Sequence, residues 1–279
     1  MIITNNSGLP QSIFNAVSRQ FHKKSDYSVT ELLAPVQQVI LKNRHDAEIT
    51  EDCSERMWSL MGSAVHAVLQ DGADKNTLTE ENLKIEMLGK TISGSPDYFD
   101  GKVLQDYKFT SAWTIVYGDR DAEHEAQLNC YAYLYRKHGF NPEKLQIVYI
   151  LRDWSKSKAK SEQNYPQSQV VIKDFKLWDE KEQGAFIGAR VMDLIAGEKM
   201  NPLPCTPEQQ WRSSDVYAVM KEGRKSAVKL FDKESEAETF KEEKGKGHTV
   251  VKRPGEPKRC NEYCAAREFC EQAKKEKGE

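Results

Sequence analysis

Two carboxylates and an amine fall close together in the first half of the chain, in Gly94-Ser95-Pro96-Asp97 and Asp106-Tyr107-Lys108, on either side of Asp100-Gly101. An Asp-Gly pair readily takes the left-handed torsions of a two-residue hairpin turn, so residues 90–99 and 102–109 read as paired strands. Side chains two apart on a strand share a face. Asp106 therefore stands beside Lys108, Tyr107 turns away, and the hairpin returns Asp97 to the same neighbourhood. Carboxylates this near repel unless a cation lies between them, and hard oxygen donors suit Mg²⁺ or Mn²⁺. Such an ion rests on one or two protein carboxylates, with phosphate oxygens and waters completing its shell. A lysine alongside adds positive charge where hydrolysis of a phosphate ester develops negative charge. Taken alone, Asp-x-Lys is usually a solvated strand face with a weak salt bridge; the preceding Gly94-Ser95-Pro96-Asp97 and the spacing of nine between the aspartates weigh against that.

Other side chains could join this set. His66 follows the small residues Gly62 and Ser63; its imidazole suits a metal or a phosphate, or simply a helix surface. Glu86 reads as a supporting carboxylate or as polar surface. Gln127 and Tyr131 are four apart and share a helix face, fit either to position a phosphate or the lysine, or to cover the sheet with Tyr131 in the core. Arg152, Lys156, Lys158 and Lys160 could reach a phosphate backbone or lie solvated, and so could Lys221, Arg224, Lys225 and Lys229 on one helix.

These residues need elements to hold them. A helix is expected near residues 35–41. Another starts at a Ser54 cap and runs to about Gln70, with Met57, Met61, Ala64, Val65 and Val68 as its apolar stripe. After the hairpin, residues 121–137 read as a helix stopped by His138-Gly139. Strands come next at 146–151 and 169–172, separated by a lysine-rich solvent loop at 155–167. Residues 179–197 read as a long helix with Phe186, Ile187, Val191, Leu194 and Ile195 inward. This order of helix, hairpin, helix, strand, strand and helix favours a mixed α/β layer over a bundle or sandwich. From Asn201 the composition changes: a proline-flanked Cys205, a helix at 215–231, a mobile Gly/Lys stretch at 241–252, and a fraying charged tail beyond Cys270 are expected.

The 279 residues allow one large domain or a core with a smaller attachment, and 38% hydrophobic content suffices for a core. No run approaches the ~20 apolar residues of a membrane span, and Met1-Ile2-Ile3-Thr4 lacks the marks of an export signal, so a cytoplasmic, non-membrane protein is expected. A net charge of −2 excludes a generic polycation but leaves room for a local basic cleft. Six cysteines in such a chain point to thiols or a metal rather than disulfides.

Gly62-Ser63-Ala64-Val65-His66, Gly94-Ser95-Pro96-Asp97, Asp106-Tyr107-Lys108 and Gln127-Leu128-Asn129-Cys130-Tyr131 stand in the order and spacing of the RecB-like branch of the PD-(D/E)XK nuclease superfamily, which the chain resembles over residues 57–133 and more loosely to Cys270. The resemblance implies a restriction-endonuclease-like mixed sheet core flanked by helices over residues 1–200, with an N-terminal helical arm, and a small cysteine-containing C-terminal extension over 201–279. It implies Asp97, Asp106 and Lys108 as the catalytic set, His66 as an additional metal ligand, and Gln127 and Tyr131 as substrate-positioning residues. Members of the family cut DNA with Mg²⁺ or Mn²⁺, commonly from ends, and include phage recombination nucleases and CRISPR-associated nucleases.

The run Cys260-x3-Cys264-x5-Cys270 resembles the C-terminal cysteines that, with one distant cysteine, hold an iron–sulfur cluster in several relatives. This chain departs from their usual Cys-x2-Cys opening. Relatives often take the fourth ligand upstream of the histidine, which points to Cys53; Cys205, in the same region as the triplet, is the preferred candidate, and Cys130 reads as buried packing. Soft sulfur selects a [4Fe–4S] cluster or Zn²⁺ over magnesium. The expected function is metal-dependent hydrolysis of DNA phosphodiesters, as an exonuclease on linear DNA. A structure-selective or nicking endonuclease, a non-catalytic DNA-binding or assembly protein, and a cysteine-metal structural module are the alternatives. DNA, a second copy of the chain and a recombination protein are the partners this reading allows, in recombination, repair or phage genome processing.

Overall fold

The computed structural model describes residues 1–19 and 25–277. The chain divides into two compact units, Met1–Pro202 and Leu203–Glu279. Among the described residues no helix is long and apolar enough to cross a membrane.

The first unit opens with β1 (Ile2–Thr4), α1 (Gln11–Val17), β2 (Tyr27–Ser28), α2 (Val29–Leu33), α3 (Val36–Arg44) and β3 (Thr50–Asp52). It continues with α4 (Met57–Asp71), β4 (Leu83–Met87), β5 (Lys90–Gly94), β6 (Tyr98–Phe99), β7 (Val103–Thr110), α5 (Trp113–Tyr117) and α6 (Asp121–Lys137). It closes with β8 (Lys144–Leu151), α7 (Lys156–Ser161), β9 (Val170–Phe175) and α8 (Glu180–Lys199). Its largest sheet runs β6-β7-β8-β9, a second runs β2-β5-β4, and β1 pairs with β3. β7 and β8 are parallel while β6 and β9 pair antiparallel to their neighbours, so the architecture is α/β with a mixed sheet. The parallel step needs a crossover, which α5 and α6 supply. α6 and α8 bury Leu128, Leu134, Ile187, Val191 and Leu194 in one core with Leu104, Leu145 and Ile147 of the sheet. Asp179 caps α8, accepting the Glu182 N–H at 2.7 Å.

Several expectations are corrected. The strand read through residues 90–99 breaks at Pro96, which has no N–H for a ladder; β5 belongs to one sheet and β6 to another. Ser54 does not cap α4. Its N–H donates to Asp52, which caps a short 3₁₀ turn over Cys53–Arg56 ahead of the helix. No residue of α4 is buried, and Met61 and Val68 of its apolar stripe are exposed. The loop at 155–167 contains α7, capped by Ser155.

The second unit holds β10 (Val216–Lys221), β11 (Lys229–Phe231), α9 (Glu234–Lys244), β12 (His248–Arg253) and α10 (Glu271–Lys277). The expected helix at 215–231 is instead two antiparallel strands turning at Gly223, whose φ of +80° suits a residue without Cβ. Lys221, Arg224, Lys225 and Lys229 therefore lie on strand ends and a turn, not on one helix face. The stretch at 241–252 is the end of α9 and then β12, which pairs with β10. α9 packs by Ala237 and by Phe240, whose ring lies 5.3 Å from that of Phe231. Residues 271–277 of the expected fraying tail form α10; residues 278–279 lie outside the described residues.

Candidate metal centre

β6 and β7 pair with Tyr98 opposite Gln105 and Phe99 opposite Leu104. One residue further, the same register sets Asp97 across from Asp106, which is why aspartates nine apart meet. The ladder has ended there, and the Asp97 side chain takes over: its Oδ2 accepts the Tyr107 N–H, while its Oδ1 lies 2.8 Å from His66 Nδ1. α4 supplies His66, whose ring meets the Tyr107 ring edge-on at 6.3 Å. Both aspartates are buried, Asp97 to 6% and Asp106 to 4% exposure.

Glu80 completes the group. It lies between α4 and β4, with Oε1 3.4 Å from His66 Nδ1. His66, Glu80 and Asp97 each present a ligand atom within 4.8 Å of the others, a set that could hold a divalent cation. Glu80 has a φ of +53°, a conformation that costs a side-chain-bearing residue about 1–2 kcal/mol. Nothing in residue type or spacing marks Glu80; it precedes another glutamate in an ordinary polar connection. Glu86 lies elsewhere, accepting the Thr91 hydroxyl at 2.6 Å across the β4–β5 pair.

Asp106 lies outside that close group and faces Lys108, whose Nζ is 2.5 Å from Oδ2. The contact is an ion pair without hydrogen-bond alignment, and Oδ2 makes no hydrogen bond although it is buried. An acidic oxygen so placed fits a cation ligand. Gln127 Nε2 spans Asp106 Oδ1 at 3.4 Å and Tyr131 Oη at 3.0 Å. Tyr131 is buried against Gly94, where a Cβ would approach its ring to 2.8 Å. Gly94, Gln127 and Tyr131 thus form one packed support behind Asp106.

The electrostatics follow from this crowding. Hydrogen bonds that the ring donates to the Asp97 and Glu80 carboxylates push His66 up to about 10, against its partial burial. Burial, helped by the Asp106 charge, pushes Asp97 up to about 6 despite His66 and the Tyr107 N–H. The His66 hydrogen bond holds Glu80 below its ordinary value. Any cation entering here competes with a proton for the imidazole. The nitrogen-and-carboxylate donor set suits Mg²⁺ less than Mn²⁺ or Zn²⁺ at His66 and suits all three at the carboxylates.

Sequence context does not mark His124 either. It is buried on α6 with Nδ1 2.8 Å from Tyr149 Oη. Burial, with Lys108 and Arg120 nearby, pushes it down to about 4.

In the second unit, Cys205, Cys260, Cys264 and Cys270 lie close enough that the other three help burial, the larger cause, to push Cys205 up to about 12. Among the described residues, the group of three or more side chains placed to hold a metal is His66, Glu80 and Asp97, and no such group of cysteines is found. Gln272 of α10 clasps the Cys205 backbone, accepting its N–H at 2.8 Å and donating to its carbonyl at 2.9 Å. Cys53 is buried in the first unit, its thiol donating to Asn5 Oδ1 at 3.2 Å, and Cys130 is buried within α6. No disulfide joins any of the six cysteines.

No family model and no curated protein matches this sequence. A solved structure described as "Crystal structure of SSO0001" is similar over 72% of this chain and 86% of that one, at 18% identity and a TM-score of 0.47. A likeness that remote carries no argument.

Proposed function

We propose that this chain is a divalent-metal-dependent deoxyribonuclease of the RecB-like PD-(D/E)XK type, acting as an exonuclease on linear DNA. The observation that carries the reading is the register-opposed pair Asp97 and Asp106, buried beside His66, Glu80 and Lys108. Two carboxylates buried this close together are costly even with His66 and Lys108 paired to them, which argues for a working site rather than a solvated strand face.

Asp97, with His66 and Glu80, would hold Mg²⁺ or Mn²⁺, and Asp106, paired with Lys108 in this structure, would be a further carboxylate ligand for the same ion. A bound cation supplies charge against the phosphate oxygens and acidifies water. Lys108 stands where it can orient the attacking water and offset charge developing on the phosphate. Gln127 holds Asp106 in line, and Tyr131 holds Gln127. Cys205, Cys260, Cys264 and Cys270 would hold an iron–sulfur cluster, or Zn²⁺ as the alternative, and would tie α10 to the start of the second unit.

The test incubates the protein with linear and covalently closed circular DNA in Mg²⁺, Mn²⁺ or EDTA, alongside Asp106→Asn and Lys108→Ala. Divalent-dependent loss of linear DNA with circles intact, reduced at least ~100-fold in both variants, is expected. Cutting of circles would indicate an endonuclease. DNA retention without cleavage would favour the binding-protein reading.

A further inference from the structure

Beyond Lys108 the strands end in a second constellation. Thr110, two residues on, pairs with Leu151, and the segments leaving the two strand ends are rich in aromatic and basic residues. Trp113 and Tyr117 of α5 stack with centroids 5.7 Å apart and planes 22° apart. Lys158 of α7 holds its ammonium 5.0 Å from the Trp113 ring. Trp58, in the first turn of α4, lies 3.8 Å from the Arg152 guanidinium. The two groups are joined through the strand ends. Arg152 N–H donates to the Thr110 carbonyl at 2.9 Å, and Asp153 accepts the Ala112 N–H at 2.7 Å and the Ser111 hydroxyl at 2.6 Å.

All three rings are open to solvent, with Trp58 58%, Trp113 38% and Tyr117 72% exposed. A single exposed aromatic needs no explanation. Three at one end of a sheet, two of them within cation–π reach of a basic side chain, are a different matter. Protein-binding patches are depleted in lysine, whereas Lys156, Lys158 and Lys160 all sit on the short helix beside this one. Flat ring faces interleaved with cations suit bases and phosphates in alternation. An intact duplex keeps its base faces inside the stack, so the matching ligand is an unpaired strand.

We propose that this platform binds single-stranded DNA, with bases stacked on Trp58 and on the Trp113–Tyr117 pair and phosphates held by Arg152 and Lys158, and that it feeds the strand to the metal centre. Only the feeding step rests on the nuclease reading. Trp58 and His66 are eight residues apart on α4, about 12 Å along its axis. That distance spans three to four stacked nucleotides at about 3.4 Å each.

The test measures anisotropy of a labelled oligo(dT) in EDTA, where cleavage cannot intervene. An abasic oligomer of equal length and charge, a blunt duplex and oligo(U) serve as comparisons. Trp58→Leu and Trp113→Leu should each weaken oligo(dT) binding about tenfold or more. Both should leave the abasic strand within about twofold, and Trp58→Phe should recover most of the loss, because stacking needs a ring and not the indole. The proposal is overturned if wild type holds the abasic strand or the duplex as tightly as oligo(dT), if the leucine variants lose both strands equally, or if oligo(U) is preferred. Trp-dependent oligo(dT) binding with no cleavage in Mn²⁺ would support the platform while removing the nuclease. Cleavage together with oligo(dT) binding unaltered in the leucine variants would do the reverse.

Discussion

Replacing His124 with glutamine should remove an acid sensitivity built into the first unit. The imidazole is buried, hydrogen-bonded to Tyr149, and pushed down from 6.5 to about 4 by burial and by Lys108 and Arg120. In the unfolded chain the same ring takes a proton near 6.5. Between those values the unfolded state binds more protons than the folded one, so stability falls as pH falls from 6.5 and levels off below about 4. At 1.36 kcal/mol per unit, the loss amounts to about 3 kcal/mol. Asp97 works in the opposite sense: its folded carboxyl, pushed up to about 6 from 3.8, takes a proton early and gains stability as pH falls through that interval. Asp97 and the other shifted carboxylates contribute alike to wild type and variant, so the difference between the two curves isolates His124, and glutamine keeps a partner for the Tyr149 hydroxyl. Urea unfolding in EDTA, monitored by far-UV circular dichroism from pH 7 to pH 4, should therefore show the variant gaining about 3 kcal/mol on wild type. A difference that stays constant across this range would refute the assignment of His124 as a neutral buried ring.

The geometry sets three further outcomes. Glu80→Gln should weaken Mn²⁺ binding by about 10- to 100-fold by calorimetry, and Glu80→Gly should do the same while relieving the backbone at φ +53°; wild-type affinity in both would remove Glu80 from the ligand set. Gly94→Ala should destabilise the fold by about 1–3 kcal/mol, since its Cβ would stand 2.8 Å from both Tyr131 and Val29, and an unchanged melting temperature would show that the ring can give way. Cys205→Ser, purified without oxygen, should lose most of the iron or zinc that wild type carries by elemental analysis; full retention would exclude Cys205 as a ligand.

How much of the fold and the site is legible in the sequence varies with the range of the interaction that decides it. α6 can be read because its stop signal, His138-Gly139, is local, and the Gly139 φ of +85° is what a glycine there permits. α8 is marked by the Asp179 cap and a stripe of Ile187, Val191 and Leu194 at helical spacing. Asp106 and Lys108 share a face by the two-residue period of any strand. The corrections arise where two local patterns compete. Val216-Tyr217-Ala218-Val219-Met220 satisfies a helical or a strand reading, and the basic residues after it happen to fit a helix face; Gly223 carries the turn signal that decides between them. Pro96 likewise marks the break that separates β5 from β6.

Other features have no local signature at all. Glu80 reaches His66 from the connection between α4 and β4, where its φ of +53° runs against the preference of a glutamate. His124 is depressed mainly by burial and by Lys108 on another element, and Trp58 meets Arg152 across nearly a hundred residues of sequence. Residue types and their periods determined the elements and the donor chemistry each could offer, because torsional preference and side-chain direction are local properties. Which donors share one site, and with what charge, was decided by tertiary packing, because Coulomb interactions and desolvation depend on distance and burial in space rather than on separation along the chain.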